Sequence, residues 1–111
     1  PQVHSPLFER ISRHGLLLTE YTPETPVKKF QFLERNRLVS GLADRLVVIQ
    51  ARQKSGTMNT VGHALEQGKT VFAVPGSPLD PLAAGPNQLI EDGAIPLTTA
   101  DQILTCSRIG R

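Results

Sequence analysis

The sequence predicts an α/β fold in which helices flank a parallel sheet, and three observations lead to this prediction. Two apolar runs, residues 46–49 and 71–74, contain no polar alternation, which is typical of strands covered on both faces. Segments with apolar residues at helical spacing separate the runs, and glycine or proline ends most segments. Because consecutive strand–helix units connect by right-handed crossovers, this alternation predicts strands that run parallel.

The first third of the chain predicts two helices separated by a strand and a loop. A serine followed by proline near the start suits an N-cap with proline at the first helical position, and this helix ends at Gly15. The apolar run at residues 16–19 predicts a buried strand. Prolines make residues 21–26 a loop, and helical spacing then continues from Phe30 to residues 41–44.

The rest of the chain predicts three further strand–helix pairs. Strand and helix alternate at residues 46–49, 55–67, 71–74, 86–92, 95–97 and 99–105. Residues 77–85 lack periodicity and are expected to form a loop, and Gln102 lies at the third helical position of a capping box. Ligands of parallel sheets bind outside the carboxyl ends of the strands, so the loops at residues 50–57 and 75–80 are expected to carry the function.

Length and composition indicate a single domain. A chain of 111 residues with 39% apolar content supports one core, but it is short for a complete doubly wound sheet. No apolar run reaches about 18 residues, and the first residues lack the pattern of a signal peptide, so we expect a cytoplasmic protein without membrane contact. The only cysteine, Cys106, has no partner for a disulfide or for a CxxC zinc site.

The charge of the chain is unevenly distributed. The whole sequence carries +2, whereas residues 28–54 contain seven basic and two acidic side chains and so carry +5. The remaining residues therefore sum to −3. Such asymmetry within a small domain favours a localised anion-binding face, with an ordinary solvated face as the alternative.

The loop at residues 50–57 has the features of a phosphate site. It follows a buried strand and precedes a helix N-terminus, where backbone N–H groups and the helix dipole favour an anion. Hydroxyl donors, positive charge and a glycine that permits close approach come from Arg52, Lys54, Ser55, Gly56 and Thr57. Capping of the helix by Ser55 or Thr57 explains the same hydroxyl residues equally well.

Aromatic and cationic side chains alternate in residues 28–37. Phosphates attract the cations and unstacked bases stack on flat rings, so this composition suits a single nucleic-acid strand. At least one of Phe30 and Phe32 is expected to belong to the core instead, because the chain has only four phenylalanines.

No catalytic or cofactor motif accompanies these features. A GxxxxGK[ST] phosphate loop and a GxGxxG dinucleotide motif are both absent, so nucleotide hydrolysis and dinucleotide binding lose support. No nucleophile with an adjacent base can be assembled from the sequence. We therefore expect a protein that is not an enzyme and that uses no metal or cofactor.

Four segments of the sequence carry recognisable motifs. FLERNRLVSGL at residues 32–42 is similar to an FPxRNRxIxGL signature, and KSGTMNT at residues 54–60 is similar to (K/R)SG(S/T)xxTA. NQLIEDGA at residues 87–94 resembles NxLIxxGA, and GLLLTEY at residues 15–21 resembles a stretch that precedes the first signature. They follow one another in unbroken order between residues 15 and 94, and the match resembles the DprA/Smf family of DNA-processing proteins.

The resemblance implies a fold and a function. Residues 1–111 would form one partial Rossmann-like DNA-binding domain, the C-terminal half of the family's domain and therefore truncated at its N-terminus relative to the family. The implied function is to bind and protect single-stranded DNA and to present it to a RecA-type recombinase during natural transformation. The GSR-type loop and SGxAxGID segment that complete the family's phosphate pocket are not present in the 111 residues.

The resemblance also assigns roles to individual residues. Motif matching, together with the charge of the adjoining loop, assigns DNA binding to Lys29, Phe32, Arg35, Asn36, Arg37, Arg52 and Lys54. Phosphate binding falls on Ser55, Gly56 and Thr57. Because family members dimerise, a homodimer contact is expected around Asn87 and Ile90.

Two other functions are compatible with parts of the sequence. The chain could resemble phosphoribohydrolases that release a base from a nucleoside monophosphate, but those carry PGGxGT followed closely by a glutamate. Here no carboxylate occurs between Thr57 and Glu66, so the acid or base is missing. A protein-interaction module that docks a partner through residues 86–95 is the other alternative.

Overall fold

A computed structural model describes residues 2–105 of the chain. Three strands and five α-helices follow one another as α1 (Ser5–His14), α2 (Lys29–Leu42), β1 (Arg45–Val48), α3 (Gly56–Glu66), β2 (Thr70–Ala73), α4 (Ala84–Glu91), β3 (Ile95–Pro96) and α5 (Asp101–Thr105). Short 3₁₀ turns occur at Gln2–His4 and Pro81–Ala83. Cys106, discussed above, lies outside the described residues.

The strands form a parallel sheet in the order β1-β2-β3. Leu46 pairs with Val71 and Val48 with Ala73, while Phe72 pairs with Ile95 on the other side of β2. Each connection between neighbouring strands contains a helix, α3 for the first and α4 for the second. The predicted α/β fold with a parallel sheet is therefore confirmed.

One face of the sheet carries the hydrophobic core. Val48, Val71 and Ala73 of the strands pack with Val61 of α3 and Leu89 of α4, and all five side chains are buried. This arrangement explains the apolar spacing of α3, because its buried side, with Val61 and Ala64, packs against the sheet. The α3 helix consequently holds its N-terminus at the carboxyl end of β1.

The other face of the sheet is more open. Val47, Ile49 and Val74 line an apolar hollow together with Ile103 of α5. Ile49 has 66% of its surface exposed. The start of α5 is held by Gln102, the second residue of the helix, whose side-chain oxygen accepts hydrogen bonds from the backbone N–H groups of Thr98 and Thr99.

The strand predicted at residues 16–19 is wrong. These residues have no strand conformation, and the leucines at positions 16, 17 and 18 are 78%, 52% and 62% exposed. The α1 helix that precedes them buries none of its residues. An apolar run favours burial, but its pattern does not identify a neighbouring strand with which it could pair. Among residues 2–105, this segment pairs with no strand.

The exposed segment is reflected in the dimensions of the molecule. The radius of gyration of the molecule is 16.2 Å, whereas a compact domain of about 100 residues has about 13 Å.

Two smaller differences from the sequence predictions concern element bounds. The predicted loop at residues 77–85 contains the Pro81–Ala83 turn and the start of α4. The strand predicted at residues 95–97 ends at Pro96. Leu97 is nevertheless buried, and its backbone N–H donates to the Ala73 carbonyl.

Candidate nucleic-acid interface

A groove of about 450 Å³ lies between α2 and α3, beside the first turn of α3. Its lining combines aromatic and aliphatic groups, one guanidinium, an amide and two hydroxyls, from Phe32, Leu33, Arg35, Asn36, Val39, Gly56, Thr57 and Thr60. Five of these residues were assigned to binding from the sequence, in two separate segments. The fold brings those segments together at one place.

Polar contacts hold α2 against α3. The Asn36 side chain is 8% exposed, and its amide nitrogen donates to the Gly56 carbonyl at 3.3 Å and to Asn59 Oδ1 at 3.1 Å. One turn further along α2, the buried Ser40 hydroxyl donates to Gln67 Oε1 at 2.8 Å. Because α2 meets α3 through paired polar groups, the apolar side chains of α2 flank this contact and remain partly exposed.

The N-terminus of α3 presents backbone donors to the groove. Ser55 is the N-cap, and its hydroxyl oxygen accepts from the Met58 N–H at 3.3 Å. The N–H groups of Gly56 and Thr57, in the same first turn, have no acceptor within a helix. The capping interpretation of Ser55 is therefore correct for its side chain, and it leaves two neighbouring N–H groups for an anion.

Gly56 leaves open space beside these donors. A Cβ atom built at this position would meet no heavy atom within 4 Å. The Gly56 carbonyl also accepts from the Thr60 hydroxyl at 3.4 Å, which fixes Thr60 beside it. The backbone is thus accessible to a ligand at the position where the helix dipole attracts negative charge.

The opposite wall of the groove comes from α2. Phe32 is 54% exposed, and Arg35 is exposed with its Nε donating to Asn36 Oδ1 at 3.3 Å. Phe32, Asn36 and Val39 are spaced three and four residues apart, so they occupy one side of the helix. Leu33, three residues before Asn36, lies beside them. This helical spacing is visible in the sequence and was a signal for Leu33 and Val39, neither of which was assigned to the site from the sequence.

The loop that leads into α3 is fixed at its base. Ala51 is buried, its N–H donates to the Leu82 carbonyl at 2.8 Å, and its carbonyl accepts from the Gly85 N–H at 2.8 Å. A Cβ atom at position 85 would lie 2.6 Å from the Ala51 oxygen, so this approach requires glycine. Arg52 and Lys54 follow Ala51 and are exposed, but they do not line the groove.

Two other cations of the predicted DNA-binding set lie outside the groove lining. Lys29, the first residue of α2, is exposed one turn before Phe32. Arg37 forms an ion pair with Glu20, which belongs to the segment before α2. The structure therefore brings Arg35 to the groove, leaves Lys29 near it, and places Arg37 elsewhere on α2.

A second contact joins the segment before α2 to that helix. The Tyr21 hydroxyl donates to the Glu34 carboxylate. This hydrogen bond, with burial and the negative charges of Glu34 and Glu20, raises the pKa of Tyr21 from 10.0 to about 12, against the opposing effect of Arg37. Tyr21 is consequently a neutral proton donor to Glu34 at physiological pH.

The two residues assigned to a dimer contact lie on α4. Asn87 bonds twice to Gly76, because its side-chain nitrogen donates to the Gly76 carbonyl at 3.0 Å and its oxygen accepts from the Gly76 N–H at 3.1 Å. Ile90 is partly buried against the core. Asn87 therefore fixes the loop after β2 within the chain, whatever else it contacts.

The chemistry of the groove suits an anionic ligand that also has a flat apolar part. Backbone N–H groups, hydroxyls and the Arg35 guanidinium would meet negative charge, and Phe32 offers an aromatic face. No carboxylate lines the groove among residues 2–105. Glu66 lies ten residues beyond Gly56 on α3, about 15 Å away along the helix axis.

No group of three or more His, Cys, Asp or Glu side chains in residues 2–105 could hold a metal ion. Within the same part of the chain, every helix is too short or too polar to cross a membrane.

Fold and groove together define a Rossmann-like α/β domain with an open groove at a helix N-terminus. The family model described as DNA recombination-mediator protein A matches residues 1–108, and the chain belongs to this family. Among curated relatives, the DNA processing protein DprA of Bacillus subtilis is 45% identical over 103 residues, and Protein Smf of Escherichia coli is 37% identical over 111 residues. The family resemblance in the sequence is thereby confirmed.

Two solved structures agree with this assignment. DNA processing protein A of Streptococcus pneumoniae superposes with a TM-score of 0.82 at 39% identity, covering 94% of this chain and 37% of that protein. DNA processing protein A of Helicobacter pylori, described with a unique single-stranded DNA binding mode, superposes with a TM-score of 0.81 at 31% identity, covering 94% of this chain and 48% of that protein. The match to the Bacillus subtilis protein covers 93% of this chain but only 35% of that protein. The match to the Escherichia coli protein covers 99% of this chain and 30% of that protein.

Proposed function

We propose that the groove between α2 and α3 binds single-stranded DNA. A phosphate of the strand would accept from the N–H groups of Gly56 and Thr57, Arg35 would neutralise charge, and a base would stack on Phe32. The observation that carries this proposal is the meeting of Arg35 and Phe32 with the α3 N-terminus in one groove, which no carboxylate of residues 2–105 lines. The unique single-stranded DNA binding mode described for DNA processing protein A of Helicobacter pylori supports the choice of ligand.

The cations outside the groove extend the proposed footprint. Lys29 stands one turn before Phe32, and Arg52 and Lys54 are exposed in the loop before α3. A single strand longer than one nucleotide would reach these side chains as it leaves the groove in either direction. They are therefore expected to add salt-dependent affinity without selecting a base.

Family membership supports the wider role of the protein. The chain belongs to a family of DNA-processing proteins. We infer that it acts in the cytoplasm during natural transformation, as a homodimer that presents single-stranded DNA to a RecA-type recombinase. The dimer contact is expected around Asn87 and Ile90 of α4.

The proposed function is binding without catalysis. A phosphoribohydrolase would need an acid or base beside the bound nucleotide, and Glu66 is too far along α3 to serve. Incubation of the protein with nucleoside monophosphates is therefore expected to release no base above a buffer blank. Base release that disappears in Glu66→Ala would contradict this expectation.

The binding proposal is tested by titrating labelled oligothymidine at several salt concentrations with the full-length protein. Wild type is expected to bind with an affinity that falls as salt rises. Arg35→Ala is expected to reduce the slope of log affinity against log salt by about 0.7, the contribution of one phosphate contact in a single strand. Glu24→Ala, a change in the loop before α2, is the control and should leave the slope at or above the wild-type value, because it removes a negative charge.

Two results would count against the proposal. One is the absence of salt-dependent binding by wild type. The other is a triple variant Lys29→Ala/Arg35→Ala/Arg37→Ala that keeps the wild-type slope while circular dichroism shows an intact fold. Either result would separate the groove from DNA binding.

A further inference from the structure

The two arginines of the Arg35-Asn36-Arg37 sequence face different surroundings. Side chains two positions apart on an α-helix point in directions that differ by about 200°. Arg35 and Arg37 therefore leave α2 on nearly opposite sides. Arg35 lines the groove, whereas Arg37 does not. Arg37 instead pairs with Glu20.

Glu20 and Tyr21 bind the same side of α2. Glu20 pairs with Arg37, and Tyr21 donates to Glu34, one turn earlier on the helix. The side chains of Arg37 and Glu20 are 48% and 31% exposed, so the ion pair is partly shielded from solvent. These two contacts join residues 20–21 to α2 on the side away from the groove.

The opposite side of α2 is fixed to α3 through Asn36 and Ser40. The helix is therefore held from two sides, by α3 and by residues 20–21. Phe32 and Arg35 line the groove beside the contact between α2 and α3. The orientation of both groups thus depends in part on the contacts of Arg37 and Glu34 with residues 20–21, which lie outside the groove lining.

We propose that Arg37 is a positioning residue, which with Glu20 holds α2 so that Arg35 and Phe32 face the bound strand, and that it does not contact DNA. This inference rests on the proposed function of the groove. It divides the three-residue motif into a phosphate contact at Arg35, an anchor to α3 at Asn36 and an anchor to the preceding segment at Arg37. The alternative is that Arg37 leaves Glu20 and neutralises a phosphate.

The two possibilities predict opposite effects for Glu20→Gln. If Arg37 contacts DNA, removal of the carboxylate releases its guanidinium and removes a negative charge, so affinity for oligothymidine should rise. If Arg37 is a positioning residue, Glu20→Gln and Arg37→Ala should each weaken binding by about two- to fivefold, the range of a partly exposed ion pair. The salt slope should stay at the wild-type value in both variants.

The experiment uses the full-length protein and labelled oligothymidine at several salt concentrations, with thermal unfolding measured on each variant. Support requires that Glu20→Gln, Arg37→Ala and their combination weaken binding equally while the proteins remain folded at the assay temperature. The exchanged pair Glu20→Arg/Arg37→Glu should recover part of the loss. A purely structural role would lower the melting temperature but leave the affinity of the folded protein unchanged.

Three outcomes would overturn the inference. Arg37→Ala could reduce the slope by about 0.7, as expected for Arg35→Ala. Glu20→Gln could tighten binding, or neither variant could change the affinity. In each case wild type still binds, so the proposed function survives, whereas a wild type that does not bind DNA overturns both.

Discussion

The Asn36 side chain and the Gly56 backbone are joined by a hydrogen bond of 3.3 Å. Twenty residues separate them in sequence, and the bond links the middle of α2 to the first residue of α3. Asn36 also donates to Asn59, so one buried amide fixes the position of both walls of the groove. The amide therefore determines how the cationic wall of the groove faces the backbone donors of α3.

Replacement of Asn36 by alanine is expected to destabilise the domain by about 1–3 kcal/mol, because it leaves the Asn59 oxygen without its donor in a partly buried interface. Urea unfolding measures the free energy. Leu42→Ala, at a 72% exposed position on the same helix, is the control and should change it by less than about 0.5 kcal/mol. Equal effects of the two substitutions would show that the amide does not hold α2 on α3.

Gly56→Val is expected to weaken binding of phosphate and of oligothymidine by about tenfold or more, since hydrogen bonds to charged groups contribute about 1.5–3 kcal/mol. The fold should tolerate the change, because the added side chain meets no heavy atom within 4 Å at its Cβ. Gly62→Val is a matched control, as its Cβ position is equally open but lies on α3 outside the groove. Loss of binding in both variants would point to a general effect on α3.

The sequence was sufficient to predict the central part of the fold. The runs at residues 46–49 and 71–74 largely became β1 and β2 because their apolar side chains pack against α3, which lies between them in the chain, and against α4, which follows β2. These contacts are local in sequence, and turn residues mark their ends. The α3 helix was predicted for the same reason, together with its serine N-cap.

The strand predicted at residues 16–19 failed because its burial depends on a partner that the sequence pattern does not identify. The surroundings of Arg37 illustrate the same limit, while its role in binding stays a prediction. Both Arg35 and Arg37 belong to a basic segment, and composition cannot tell which one faces a carboxylate from another segment. The pairing with Glu20 follows only from the path of the chain before α2.

Phe32 and Phe30 offer a comparison of two similarly exposed rings on one helix. They are 54% and 55% exposed, but only Phe32 lines the groove. Phe32→Ala is expected to weaken oligothymidine binding by about 1–3 kcal/mol with little change in salt slope, the cost of losing one stacked base. Phe30→Ala should leave the affinity unchanged, and equal losses in the two variants would contradict stacking on Phe32.

Asn87→Ala is expected to loosen the loop after β2, because both polar groups of the side chain bond to Gly76. Each bond contributes about 0.5–1.5 kcal/mol, so the amides of the non-proline residues in this loop, at positions 76, 77, 79 and 80, should exchange hydrogen faster than in wild type. Gln88→Ala serves as the control, since that side chain bonds to Asp92 within α4. Unchanged exchange in Asn87→Ala, with a shift in sedimentation, would instead assign Asn87 to a dimer contact alone.

Titration of Tyr21 should report directly on the contact that joins residues 20–21 to α2. Because the hydrogen bond to Glu34 raises its pKa to about 12, the phenol should ionise two pH units above an ordinary tyrosine. Tyr21 is the only tyrosine of the 111 residues and there is no tryptophan, so ultraviolet absorbance of this chain follows it alone. Glu34→Gln should lower the midpoint towards 10, whereas Glu24→Gln should not move it.

The same titration predicts how stability depends on pH. The folded-state pKa of Tyr21 lies above its unfolded value of 10.0, so the contact contributes fully below pH 10 and is lost as the pH rises towards 12. Urea unfolding should therefore show a decline in stability between about pH 10 and pH 12 that is smaller in Tyr21→Phe, which has no phenolic proton to lose. Circular dichroism at each pH verifies that the protein is folded before urea is added. A wild-type ionisation midpoint near 10 while the chain remains folded would show that Tyr21 does not donate to Glu34, and residues 20–21 would then be joined to α2 by Glu20 and Arg37 alone.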